Sequence, residues 1–142
     1  MVKSLVAPSK YFQEKDILEN LYSYIKFMGN HFIILLNDVV RALIKDKIEK
    51  GFKDTDGEFE LIIFGGESTE LETRKIDEIA KKKNYDAIIG AGGGKVIDTT
   101  KLVSTLCGLP IMIVPTLRHL IHHVALAQLF ILKMGHLLFL RK

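Results

Sequence analysis

Six consecutive residues, Gly90-Ala91-Gly92-Gly93-Gly94-Lys95, carry the most specific chemistry in this sequence. A phosphate site needs backbone N–H groups turned into a concavity with no side chain blocking close approach, and glycine meets both conditions. Asp86-Ala87-Ile88-Ile89-Gly90 leads in as a buried strand, and Lys95 to Leu106 leads out with helical spacing. A glycine turn between a strand and a helix is the context that makes a phosphate grip credible, because the helix N-terminus adds partial positive charge. Lys95 can place a full charge on a phosphate oxygen. Asp98, one turn on, faces the same mouth and can orient a polar group there. The spacing is not GxGxxG, since Lys95 stands where the third glycine would be. Nor is it the GxxxxGK-(Ser/Thr) loop, since Ile89 and Val96 occupy its outer positions. The competing explanation is a tight turn required only for packing.

Three further positions have chemically useful residues at strand ends. Asp38 follows the apolar run His31 to Leu36, where a carboxylate can accept hydrogen bonds from a ribose diol; capping the next helix would explain it equally well. Thr116 follows Val114-Pro115 and can offer its hydroxyl to a ligand on the same edge, or serve structure alone. Cys107 reads as a buried helix residue without chemistry of its own.

The elements that must position these residues alternate between helical and strand patterns. Apolar residues Ile17, Leu18, Leu21, Tyr24 and Ile25 predict a helix over Asp16 to Phe27, stopped at Gly29. His31 to Leu36 predicts a strand buried on both faces, and Asp38 is placed to cap a helix running to Gly51. Phe59 to Phe64 predicts a second strand, and Thr69-Glu70-Leu71-Glu72 has capping-box spacing ahead of Ile76, Ile79 and Ala80. Asp86 to Gly90 and Leu109 to Pro115 complete four strands. Alternation with short connections implies an α/β fold, a Rossmann-like parallel sheet with right-handed crossovers and helices on both faces.

Bulk properties exclude several classes. With 142 residues, 48% apolar and 26% charged, the chain has the composition of a globular domain with its own core. A net charge of +3, spread over helix faces, does not indicate a nucleic-acid partner. The single cysteine forms no internal disulfide, and no signal peptide is evident, so a cytoplasmic protein is expected.

Several segments occur in an order that resembles one family. Ala7-Pro8-Ser9-Lys10-Tyr11, the strand ending in Asp38, Phe64-Gly65-Gly66-Glu67, Ile89 through Lys101 and Gly108-Leu109-Pro110 through Thr116 resemble the glycerol dehydrogenase branch of the metal-dependent, iron-containing alcohol dehydrogenases. The resemblance spans residues 1–116. It implies an NAD-binding domain there, with Asp38 at the adenosine ribose and Gly93, Gly94 and Lys95 at the pyrophosphate. Asp98 would lie near the nicotinamide and Thr116 against the cofactor. Asp38 would also favour NAD over NADP, because its carboxylate repels a 2′-phosphate. The family transfers hydride from glycerol to NAD⁺, giving dihydroxyacetone, with zinc or iron as Lewis acid. The metal ligands, one Asp and two His in a helical C-terminal domain, have no counterpart here. The resemblance therefore implies the NAD-binding portion of such an oxidoreductase, inactive alone and lacking both catalytic and metal residues. A stand-alone nucleotide-binding module and the non-functional product of a disrupted gene are the alternatives. A polyol substrate would engage only a full-length enzyme, and apolar surface left open would favour homo-oligomers or aggregation.

Residues 117–142 need a separate explanation. All 17 carboxylates precede Thr116, whereas His119, His122, His123 and His136 follow it. Where the family carries a stretch like I-A-S-S-D-S-P-C-S, one set of codons for those residues, ATT GCG TCA TCT GAT TCA CCA TGT AGC, reads L-R-H-L-I-H-H-V-A after losing one base at the front. That string is Leu117 to Ala125. Likewise I-Y-T-E-D-G read one base late can give Phe130 to Gly135. A shifted reading frame just after Thr116 accounts for the missing acids. Metal binding by His119 with His122 or His123 and a genuine apolar helix over Leu120 to Leu132 are the competing explanations. That apolar run falls short of a membrane span.

Overall fold

The computed structural model describes residues 10–66, 69–116 and 126–132. His119, His122, His123 and His136 lie outside the described residues, as do Ala7, Pro8, Ser9 and Glu67. The strands are β1 (Lys10–Lys15), β2 (His31–Leu36), β3 (Glu58–Ile63), β4 (Ala87–Gly92), β5 (Ile111–Pro115) and β6 (Leu126–Leu132). The α-helices are α1 (Leu21–Ile25), α2 (Asp38–Phe52), α3 (Glu70–Lys82) and α4 (Gly94–Cys107). One sheet has the order β1-β6-β5-β4-β2-β3. Its four strands β5, β4, β2 and β3 are parallel, and β6 pairs antiparallel with both β5 and β1.

The apolar run of β2 is continuous because both faces of the strand are covered. Phe32, Ile34 and Leu36 point into a cluster with Ile17, Leu21, Ile25, Val40, Ile44 and Ile48, from the side carrying α1 and α2. Ile33 and Leu35 point the other way, toward Ile76 and Ala80 of α3 and Val96 and Val103 of α4. The two-residue period of a strand thus feeds two cores. Phe32 through Leu36 are completely buried, and each such side chain contributes roughly 1.5–3 kcal/mol relative to exposure.

Two expectations are corrected. The segment expected as one helix over Asp16 to Phe27 is instead a 3-10 turn at Ile17–Asn20, α1, and a second 3-10 turn at Lys26–Met28. It is pressed against α2 at Gly51, where an added Cβ would lie 2.2 Å from the Leu18 carbonyl oxygen. Such close seating buries Ile17, Leu18, Leu21 and Ile25 together, and the tighter 3-10 winding accommodates it. Strands β1 and β6 were not expected. β1 is exposed at every position but Phe12, so it lacks the alternation that marks a half-buried strand. Leu126–Leu132, inside the apolar run for which a helix was the alternative, is strand β6.

The parallel strands determine where a ligand can bind. From β2 the chain crosses to β3 through α2 on one face, then returns through α3 on the other face to place β4 on the opposite side of β2. Successive connections therefore diverge between β2 and β4, leaving a crevice at the carboxyl ends of those two strands.

Candidate functional site

The glycine turn occupies one wall of that crevice. Its four glycines divide into two kinds. At Gly90 an added Cβ would sit 2.3 Å from Thr100 Oγ1, and at Gly92 it would sit 3.1 Å from Val96 Cβ. These two permit α4 to lie close against β4. Gly92 also has φ of 155°, which disfavours other residues. At Gly93 and Gly94, by contrast, an added Cβ meets nothing within 4 Å. These two border open space at the start of the helix, and both are exposed.

The helix that begins there differs from its neighbours in how it starts. Asn37 caps α2, its side chain accepting from the Val40 N–H at 2.8 Å. Thr69 caps α3, accepting from the Glu72 N–H at 3.2 Å. The N-cap of α4 is Gly93, which has no side chain to offer. A helix N-terminus without a side-chain cap presents its first N–H groups and partial positive charge outward. Lys95 is exposed in the first turn, and Asp98, also exposed, lies one turn further along α4.

Thr116 and Asp38 are brought to this turn from either side. Gly92 stands opposite Pro115 in the β4–β5 register, and the Thr116 N–H donates to the Gly92 carbonyl at 3.0 Å. On the other side Leu35 stands opposite Gly90, so the chain leaves β2 toward Asp38 as β4 enters the glycine turn. Adjacent strands run about 4.8 Å apart, so the two exits flank the same crevice. Asp38 was also placed as the cap of α2, and that is corrected. Asn37 fills the role, since a residue with extended backbone must precede the first helical one, and Asn37 has ψ of 171°. The Asp38 carboxylate is thereby left 80% exposed, with the Arg41 guanidinium 3.9 Å away.

Asn37, Val39 and Arg41 were not singled out in the sequence. Asn37 and Asp38 are adjacent residues of equal capping aptitude, so spacing alone does not choose between them. Val39 is 65% exposed beside Asp38. An apolar residue in the first turn and a cation three residues after the acid were the available signals.

Other polar clusters lie at the opposite, amino ends of the parallel strands. Asp86 accepts from the N–H groups of His31 at 2.9 Å and Asn30 at 2.8 Å, and these bonds hold its carboxyl below the usual range. Burial pushes the Tyr85 phenol up to about 12, with the hydrogen bond to Glu60 adding to it. Cys107, half-buried at the end of α4, has its thiol pushed up by burial, which suits an unreactive residue.

A dinucleotide pyrophosphate fits the crevice on direct grounds: two glycines open to space, a helix start without a side-chain cap, and a lysine in its first turn. A metal does not find the same provision. Among the described residues no group of three or more His, Cys, Asp or Glu side chains is gathered to hold one. Among them, too, no helix is long and apolar enough to cross a membrane.

Comparison with known proteins bears on the same region. A family model described as iron-containing alcohol dehydrogenase matches residues 8–118. Glycerol dehydrogenase of Escherichia coli O6:H1 is 32% identical over 117 residues, which are 82% of this chain and 32% of that protein. The glycerol-1-phosphate dehydrogenase [NAD(P)+] of Sulfurisphaera tokodaii is 33% identical over 111 residues, 77% of this chain and 31% of its own length. The crystal structure of glycerol dehydrogenase from Schizosaccharomyces pombe superposes with a TM-score of 0.73 at 26% identity, covering 80% of this chain and 29% of that one. The chain spans about a third of the length of these relatives.

Proposed function

Because the chain belongs to the iron-containing alcohol dehydrogenase family, we propose that its α/β layer, residues 1–116, is the NAD-binding part of a glycerol dehydrogenase-like oxidoreductase. The observation that carries this reading is the open space over Gly93 and Gly94 at the start of α4. Glycines kept only for packing would be walled in, as Gly90 and Gly92 are. In this reading the N–H groups of the turn and Lys95 hold the pyrophosphate, and the exposed Asp38 carboxylate accepts from the adenosine ribose. Val39 offers apolar surface beside it. Thr116 contacts the cofactor next to the glycine turn, and Asp98 lies toward the nicotinamide. NAD, when bound, supplies the hydride acceptor; this chain's residues bind and orient it.

Alanine at the open glycines tests the reading. Gly93→Ala and Gly94→Ala add a methyl group where no atom of the described residues stands within 4 Å. Thermal stability should hold or rise for Gly94→Ala, inside the helix, and fall slightly for Gly93→Ala, at the N-cap, where alanine is the poorer residue. The same methyl intrudes where the pyrophosphate must approach, so NAD affinity measured by calorimetry should fall by about tenfold or more. NAD affinity unchanged by both substitutions would refute the grip.

Oxidation of glycerol is proposed for the whole protein, with alcohol and metal held by residues beyond this layer. The 142-residue chain by itself should then bind NAD and give no NADH with glycerol; metal-dependent turnover by the purified chain would overturn this part. We further propose that the reading frame shifts just after the Thr116 codon. It is supported by the family match, which extends over residues 8–118 and no further along the acid-free tail. Resequencing the gene decides it: restoring one base there should open a frame that continues the family sequence.

A further inference from the structure

We propose that Arg41 is a second determinant of which dinucleotide the crevice accepts, admitting a ribose 2′-phosphate that Asp38 alone would repel. The inference rests on the reading that Asp38 meets the adenosine ribose. A lone carboxylate at a ribose favours a 2′-hydroxyl, which donates to it, over a 2′-phosphate, whose charge opposes it. This site is not a lone carboxylate. Arg41, one turn along α2, carries its guanidinium to 3.9 Å from the Asp38 carboxylate; the Asp38 side chain is mostly exposed and that of Arg41 about half exposed.

Three features make the pair adjustable. At 3.9 Å it is an ion pair and not a hydrogen bond, so the guanidinium is not fixed to its partner. Neither residue is needed to start the helix, because Asn37 already caps it through the Val40 N–H. Lys45, the next cation along the helix, is engaged with Glu49 at 3.7 Å and stands a turn further from the rim. A phosphate dianion offers Arg41 two oxygens in the planar geometry that a guanidinium prefers, which a single long contact to Asp38 does not. With NAD bound, Asp38 takes the ribose hydroxyls and Arg41 remains beside it. With NADP bound, Arg41 turns to the 2′-phosphate and offsets the repulsion from Asp38.

Titration of the full chain with NAD⁺ and with NADP⁺ at low salt separates the possibilities. Arg41→Ala should raise the NADP⁺ Kd about fivefold, the scale of an exposed charge pair, and leave the NAD⁺ Kd within about twofold. Asp38→Asn should tighten NADP⁺, and adding Arg41→Ala to it should reverse that gain. The Arg41-dependent part should fade as salt is raised. Equal losses for both dinucleotides, or an NADP⁺ Kd indifferent to Arg41 in either background, would overturn the proposal. A wild-type chain that binds neither dinucleotide would instead refute the reading of the crevice itself, and this inference with it.

Discussion

Single residues in the glycine turn answer to different physical demands, and substitution should separate them. Gly90 faces Thr100, whose side chain is fully buried and whose hydroxyl donates to the Val96 carbonyl at 2.7 Å. Gly90→Ala must displace that side chain or the helix carrying it, and overpacking of this kind costs about 1–3 kcal/mol. Chemical denaturation should register the loss at Gly90 and no comparable loss at Gly94. Tyr85 gives a pH dependence of defined sign. Its folded pKa of about 12 lies above the ordinary value of 10.0, so the protonated phenol favours the folded state. The contribution is present below pH 10 and is lost as pH rises through about 12. Tyr85→Phe should flatten that part of the stability profile in denaturant titrations run across this range. The sequence made the glycine turn visible as a whole but not this division of labour. Which glycine is walled in depends on where Thr100 and Val96 fall across the strand–helix contact, and spacing along the chain does not contain that.

Elements were legible where their periodicity was uncompromised. β2 has the bounds expected, because six consecutive apolar or partly apolar residues between Asn30 and Asn37 have one plausible use. α4 also matches, since Gly108 ends it in the left-handed conformation, with φ of 74°, that glycine favours. The entry to α2 was less legible, because two capping residues stand side by side. Asn37→Ala should cost about 1 kcal/mol of stability, typical for a lost N-cap, whereas Asp38→Ala should cost less and act on NAD binding instead. Paired thermal denaturation and calorimetry on the two variants would show the two effects falling on different residues. A greater loss of stability at Asp38 would reverse the assignment. β1 escaped notice for the opposite reason: its side chains are mostly exposed, so backbone pairing with β6 defines it where an apolar face does not.

For the molecule as a whole, the sheet is strongest at its centre. β2 and β4 are each paired on both sides and buried on both faces, whereas β1 is an edge strand exposed to solvent. Amide exchange should therefore be slowest in Phe32 to Leu36 and Ala87 to Ala91 and fastest, among the strands, in β1. Bound NAD should slow exchange at the glycine turn first and raise the melting temperature in proportion to the logarithm of its concentration above Kd. The pairing of β1 with β6 has a consequence for the order in which the chain acquires its shape. Lys10 meets Ile131 and Lys15 meets Leu126, partners more than a hundred residues apart. β1 is made before the other described strands and β6 after them, so β1 stays without this partner until β6 has emerged. The parallel strands can assemble around β2 and β4 before then, and closing the β1 side of the sheet comes last among the described strands.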